Sequence, residues 1–379
     1  MIVFIVTILM FLQFIITFEM SMVMPLAPII SSIYQIDPST ITYLNMGYAA
    51  SGLLSPFFGY LADRFSMKKI IILSTLFFAF GAFVVSTNSK EMYIFGRFLL
   101  GIGYYNLSSI IMSYTSTIVA HNRLGLVSGF YKIAFSLGAF ASPIIGLKLL
   151  NFVSFNDIYL IMMVISVIIA FFLIFIPEAT TQSSFRINIK DAFDIFKDKK
   201  AKYMIWANVL LSIPTIFFFN YVSIHFSSIG ISQNNISIFY SVVAAGSIIA
   251  GLMIATFSDK FGKRKMSYLS TILSGIALIP FVFMSGGLLI VGFMFGFFYD
   301  TIWGLYYPVG STFYLYKRAT FLTILSSVTS LTNLLSNATG PLIYQIGGFS
   351  SLMIISALGL VASGFYMIKA FVLDGNKNN

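Results

Sequence analysis

An all-α membrane protein is the fold class this sequence predicts, with twelve transmembrane helices in two pseudo-symmetric six-helix bundles. Three observations predict it. The 379 residues are 58% hydrophobic and only 9% charged, against about 25% charged in a soluble domain. Apolar runs long enough for a bilayer crossing, which takes about 20 residues, recur from end to end. A polar segment separates six such runs from six more, and a charged motif recurs at a matching place in each half.

Backbone polar groups must be satisfied inside lipid, so spanning segments are helices or closed barrels. Barrel strands are about 10 residues long and alternate in polarity. These runs are longer and apolar all round, which makes them helices. They cover roughly 3–33, 41–61, 69–87, 92–118, 124–149, 157–176, 203–226, 236–257, 266–284, 288–315, 320–345 and 349–370. The first has no cationic flank and is too long for the apolar part of a signal peptide, so it counts as a helix. The chain has no cysteine, which excludes disulfides, thiol catalysis and thiolate metal sites. Neither H-E-x-x-H nor G-x-S-x-G occurs, so nothing marks an enzyme active site, and no metal or organic cofactor is expected.

The net charge of +10 could signal nucleic acid or anionic lipid. Its placement decides. Of the 22 Lys and Arg, 18 fall on one side of the twelve-run layout: Arg64, Lys68, Lys69, Arg123, Arg186, Lys190, Lys197, Lys199, Lys200, Lys202, Lys260, Lys263, Arg264, Lys265, Lys317, Arg318, Lys369 and Lys377. Lys90 and Lys148 lie on the other side, and Arg97 and Lys132 inside runs. The positive-inside rule then puts both termini in the cytoplasm of a cell membrane. The basic excess is a topology signal, and no nucleic-acid partner is expected.

Residues 1–178 form the first bundle, 179–202 a cytoplasmic linker, and 203–379 the second bundle. Within the linker, Asp191 to Lys197 reads as a short amphipathic helix on the membrane surface, and the rest as a solvated tether. The stretch from Gly59 to Lys69 (GYLADRFSMKK) follows the second run, and Ser258 to Lys265 (SDKFGKRK) follows the eighth. Asp63 and Asp259 stand 196 residues apart; Pro143 and Pro341 stand 198 apart. Two halves in parallel orientation follow.

On these residues the chain resembles the major facilitator superfamily of transporters. Gly59, Leu61, Ala62, Asp63, Arg64, Lys68 and Lys69 fit that family's loop motif G-x-L-A-D-R-x-G-R-K, with Ser66 in place of its second glycine. The second copy keeps Asp259, Lys260, Gly262, Lys263 and Arg264, with Ala255 where Gly59 sits in the first. Arg97, Gly101 and Gly103 fit R-x-x-x-G-x-G in the fourth run. Gly129, Gly138, Ser142, Pro143 and Gly146 resemble the fifth-helix motif of drug:proton antiporters, with Ser142 and Leu147 departing from it. The resemblance covers essentially the whole chain. It implies alternating access around a central cavity lined by the first, fourth, seventh and tenth helices.

Asp63 lies where a carboxylate can pair with Arg64 or accept hydrogen bonds from a helix N-terminus. A conformational gate and a plain topology anchor are both consistent with the cations; the repeated aspartate favours a gate formed by Gly59, Asp63, Arg64, Asp259 and Lys260. Gly129, Gly138, Pro143 and Gly146, with Gly340 and Pro341 in the eleventh run, permit close helix approach and bending, or ordinary tight packing.

Four ionisable residues sit well inside runs, where each is costly. Glu19 and Asp300 are candidate proton sites, or members of structural ion pairs. Arg97 either tunes a neighbouring acid or welds the fourth helix to the first. Lys132 either faces the cavity or extends its stem to the cytoplasm. Asn106, Asn220, Tyr299 and Trp303 add polar and aromatic lining for a lipophilic or cationic substrate, with helix packing as the alternative. Trp206 is another aromatic candidate. Met20, Met22 and Met24 before Pro25 read as flexible apolar packing rather than a soft-metal path. His121 and His225 fall at opposite faces and do not make a site together.

The expectation is a monomeric secondary transporter, exporting a lipophilic or cationic small molecule in exchange for protons. A proton-coupled uptake symporter or facilitator and a non-transporting membrane receptor are the alternatives. A receptor would give no reason for charges buried in both halves.

Overall fold

The computed structural model describes residues 2–23, 27–35, 46–179, 194–283 and 288–375. Each apolar run is helical over most of its described length, and no strand occurs among these residues. The chain is therefore an all-α membrane protein.

The first run forms α1 (Ile2–Met22) and α2 (Ala27–Tyr34). Met24 and Pro25, between them, lie outside the described residues. The second run is described from Met46 and is not one regular helix. It comprises α3 (Met46–Ser51), a 3₁₀ turn (Gly52–Leu54) and α4 (Ser55–Arg64). The cause is Pro56, near the start of α4. Proline has no N–H to donate and its ring crowds the carbonyl four residues back, so the chain tightens before it.

Then come α5 (Met67–Val85), α6 (Lys90–Ile118), α7 (Leu124–Leu149) and α8 (Phe155–Leu173). After the linker follow α9 (Lys199–Ser228), α10 (Gln233–Phe261), α11 (Lys263–Leu278), α12 (Pro280–Phe283), α13 (Leu288–Gly310) and α14 (Arg318–Gly375). Inside α14, Gly348 adopts φ 65° and ψ −168°, which only glycine reaches cheaply, so the eleventh and twelfth runs are separate helical segments. Of the expected amphipathic helix at 191–197, residues 191–193 lie outside the described residues, and Asp194–Lys197 is a 3₁₀ turn.

Serines start several helices. Ser66, Ser89, Ser154 and Ser232 each accept a backbone N–H of the first turn, and Asp157 completes a capping box with Ser154. These caps satisfy donors that the helix itself leaves unpaired. Among the described residues, ten helices are long and apolar enough to cross a membrane. The last of them covers two apolar runs, and the second run is described only in part.

The chain divides into two compact units. The first holds Met1–His121, Ala134–Ile187 and Tyr314–Leu331; the second holds Asn122–Ile133, Asn188–Phe313 and Thr332–Asn379. In the first, α6 packs against α1, α3 and α5, and α5 against α8. In the second, α13 packs against α10 and α11. Glycine brings backbones together at both places. A side chain at Gly96 of α6 would press into Val85 and the Gly81 carbonyl of α5; one at Gly296 of α13 would press into the Val243 carbonyl of α10.

Gly96→Ala is expected to lower stability by about 1–3 kcal/mol, the usual cost of overpacking. Gly47→Ala, whose new carbon meets nothing nearer than the Ile94 carbonyl at 3.7 Å, is expected to be near neutral. Thermal unfolding in detergent, followed by tryptophan fluorescence, checks both. Equal midpoints for the two variants would contradict the packing described.

Candidate functional site

The costliest feature of the first unit is a charge pair in apolar surroundings. Glu19 on α1 is 0% exposed and Arg97 on α6 is 2% exposed. Arg97 Nη1 donates to Glu19 Oε1, and Tyr159 on α8 donates its hydroxyl to the same oxygen at 3.1 Å. The Arg97 guanidinium lies over the Tyr48 ring, 4.2 Å from its centre. Helix placement explains why four elements meet here: α6 runs beside α1 and α3, and α8 beside α1. The arrangement fixes Arg97 as the partner that joins the fourth run to the first. Asn106, on the same helix as Arg97, is 1% exposed, and neither of its amide atoms has a hydrogen-bond partner among the described residues.

The second unit holds a second, largely buried pair, at positions unrelated to the first by the repeat. Lys132 of α7 is 5% exposed, and its Nζ donates to Asp300 Oδ1 of α13. The lysine side chain is thus buried along its length, with its ammonium held at the Asp300 carboxylate. Gly304 makes this contact fit. It stands one turn beyond Asp300, and a carbon added there would lie 3.3 Å from Cβ and Cγ of Lys132. The lysine stem thus rests where residue 304 has no side chain.

Tyr299 does not offer its hydroxyl freely. It donates to the Leu211 carbonyl at 3.0 Å, shares a 2.7 Å hydrogen bond with Thr215, and stacks on Phe295. It joins α13 to α9. Trp303 meets Tyr299 and Tyr306 edge-on at 6.3 and 6.1 Å. Asn220 donates to Asn337 at 3.4 Å. Trp206, one of the aromatic candidates, is 56% exposed. His225 stacks on Phe349 at 4.4 Å.

The two repeated aspartates do the same work. Asp63, at the end of α4, accepts from the Ala319 and Thr320 backbone N–H groups at 3.1 and 2.7 Å, and from the Thr320 hydroxyl at 2.7 Å. It caps the start of α14. Burial pushes its carboxyl up to about 6, with the Thr320 and Ala319 donors pulling the other way. Arg64 does not pair with it; its Nη1 donates to the Tyr60 hydroxyl. Gly59 lies one turn before Asp63, and a side chain there would press into Thr323 and the Ala319 carbonyl.

Asp259, near the end of α10, accepts from the Gly125 and Leu126 N–H groups at 3.2 and 3.1 Å and caps α7. Its ionic partner is Lys263, four residues on, while Lys260 is exposed. Lys263 opens α11 beyond the break at Gly262 (φ 90°), so the bend between the two helices, and not a shared helix face, brings it to Asp259.

The packing glycines behave similarly. A side chain at Gly129 would press into the Ala255 backbone, one at Gly138 into the Phe14 carbonyl, and one at Gly340 into the Tyr221 ring. Gly146 is buried and Pro341 exposed, both within helices. Of Pro143 only the helical backbone is described, and the side chain of His121 lies outside the described residues.

Reading the sequence singled out all four members of the two ion pairs, offered a weld of the fourth helix to the first as one of two readings of Arg97, and did not pair Lys132 with Asp300. It missed Tyr48, Tyr159, Thr320 and Gly304, and it named Lys263 in the repeated motif without giving it the ion pair with Asp259. Helical spacing from Asp300 signals Gly304. Nothing in the sequence distinguishes Tyr48 and Tyr159 from the other tyrosines.

The chain matches the family model of the Major Facilitator Superfamily over residues 9–303. It is 28% identical over 124 residues to Multidrug resistance protein 2 of Bacillus subtilis, an alignment that covers 32% of this chain and 31% of that protein. The match thus spans about a third of the relative's length. The fold resembles the proton:xylose symporter XylE bound to 6-bromo-6-deoxy-D-glucose, with TM-score 0.81, 12% identity, and coverage of 97% of this chain and 95% of that one. It also resembles the human organic anion transporter MFSD10 (TETRAN), with TM-score 0.77, 12% identity, and coverage of 96% and 99%. At such identity the likeness is one of fold.

Removing one member of a buried pair strands the other, which costs about 3–5 kcal/mol. Lys132→Met and Asp300→Leu are each expected to be destabilising, and the double variant less so than their sum. Unfolding midpoints in a double-mutant cycle check this; strict additivity would mean that the two do not interact.

Proposed function

We propose that this chain, which belongs to the Major Facilitator Superfamily, is a secondary transporter that moves a small molecule across a membrane by alternating access, exporting a lipophilic or cationic compound in exchange for protons. The observation that carries the reading is the wholly buried Glu19–Arg97 pair in a segment apolar enough to span. An ionised carboxylate there is costly, so it is retained for work that needs a titratable group. Glu19 takes up and gives back the proton. Arg97 supplies a fixed positive charge, since a guanidinium does not titrate in the working range. Asp300, held by Lys132, is the second acid. Export is favoured over uptake by the similarity to Multidrug resistance protein 2. Asp63 and Asp259 act as latches: each holds a helix start through backbone N–H groups, and releasing it leaves those donors unpaired. Both termini face the cytoplasm, and the protein works as a monomer.

The test uses purified protein in proteoliposomes with a pH-sensitive dye inside and an imposed pH gradient. Lipophilic cations, sugars and amino acids are added in turn. Proton movement opposite to a lipophilic cation, reduced at least tenfold in Glu19→Gln or Asp300→Asn, is the expected result. Proton movement in the same direction as a sugar or amino acid would replace export by symport. Flux intact in both variants, with no linked proton movement, would rule out coupling through these carboxylates.

A further inference from the structure

Both described donors to Glu19 converge on one of its oxygens. Arg97 and Tyr159 donate to Oε1, while Oε2, also buried, accepts no hydrogen bond among the described residues. The lopsidedness has a chemical consequence. A carboxylic acid has one O–H and one carbonyl oxygen. Had the two donors been shared between the oxygens, an arriving proton would have to displace one of them. With both on Oε1, the proton bonds to Oε2, Oε1 becomes the carbonyl acceptor, and both hydrogen bonds persist. The proton comes from water and returns to it, and the pair passes from neutral to a net single positive charge and back.

We infer that Glu19 takes its proton on Oε2 without releasing Arg97, and that Tyr159 is the positioning residue that keeps Oε2 as the proton's place. The inference rests on the proposed proton coupling at Glu19. The groups facing this carboxyl come from three other elements: Arg97 and Tyr93 on α6, Tyr48 on α3, and Tyr159 on α8. Arg97 keeps its charge in both states. The hydroxyls of Tyr48 and Tyr93 make no hydrogen bond among the described residues. Tyr159 is therefore the neutral group that bonds the carboxyl directly, and Arg97 is the charged one. Proton uptake then changes the charge of the site without changing which helices hold it. The pair joining α1 to α6 survives both states.

Infrared difference titration of the purified protein in lipid tests this without needing a substrate. The carboxylic acid carbonyl band of Glu19 is identified by its loss in Glu19→Gln. Tyr159→Phe removes one oxygen and keeps the ring. It is expected to move that band to higher frequency, since the carbonyl loses a donor. The pH midpoint of the band is expected to rise by about one unit or more, since the ionised form loses a charge-assisted hydrogen bond. Tyr93→Phe should move neither.

A ring-fluorinated tyrosine placed at position 159, a stronger donor, should move both the opposite way, and it reads out the same contact if Tyr159→Phe does not fold. Coincidence of the Tyr159→Phe band and midpoint with those of the wild type would overturn the role of Tyr159 while leaving proton uptake by Glu19 in place. Absence of any band lost in Glu19→Gln would instead overturn proton uptake by Glu19 itself.

Discussion

A charge in a medium that cannot solvate it must bring its own solvent. That constraint organises the first unit. Glu19 and Arg97 are both buried, so each is the other's counter-ion, and neither can be replaced alone without leaving a stranded charge. The pair comes from α1 and α6, with α8 contributing the Tyr159 hydroxyl and α3 the Tyr48 ring. Four elements are thus held in one relation by polar contacts, in a core where Leu, Ile and Phe supply no directional preference. Apolar packing would tolerate α1 sliding along α6; a hydrogen-bonded carboxylate does not.

The same constraint acts on backbone groups at helix starts. The first N–H groups of a helix have no partner within it. For α14 and α7 those donors are met by carboxylates from sequence-distant segments, Asp63 and Asp259. Serine or asparagine from the adjoining loop would satisfy the same donors locally, as Ser66 and Ser154 do for α5 and α8. A remote aspartate instead ties a helix start to a sequence-distant segment. For that reason an acid inside a basic cluster carries more information than the cations around it.

Much of this was legible because the signals were differences from a uniform background. In a chain 9% charged, Glu19, Arg97, Lys132 and Asp300 stand out against apolar runs, and the Asp63 and Asp259 motifs repeat at one step. Pairing was legible only in part: a weld of the fourth helix to the first was one of two readings of Arg97, and nothing joined Lys132 to Asp300. Arg97 and Glu19 are 78 residues apart, and Lys132 and Asp300 168 apart, so which acid meets which base depends on how helices are arranged, not on any local pattern. Tyrosines were illegible for another reason. Tyr159 bonds the carboxyl and Tyr299 merely joins α13 to α9, yet in an aromatic-rich sequence both read as core. The break in the second run at Gly52–Leu54 was readable from Pro56 alone, but the length of the apolar run masks it.

The repeat also separates two kinds of part. Moving 196 residues from Asp63 gives Asp259, and both cap helix starts. The same step from Glu19 and Arg97 gives Thr215 and Phe293; from Lys132 it gives Val328, and back from Asp300 it gives Tyr104. No ionisable pair has a counterpart in the other half. A duplicated scaffold needs the same supports in both halves, since each half must present and satisfy its helix ends in the same way. Chemistry needs no such symmetry, because one titratable carboxylate serves a site whichever half supplies it. The first half places its pair between α1 and α6, and the second unit places its pair between α7 and α13. Asymmetry at these four positions, on a scaffold whose capping aspartates repeat in step, separates the parts that satisfy helix ends from the few buried side chains that carry charge.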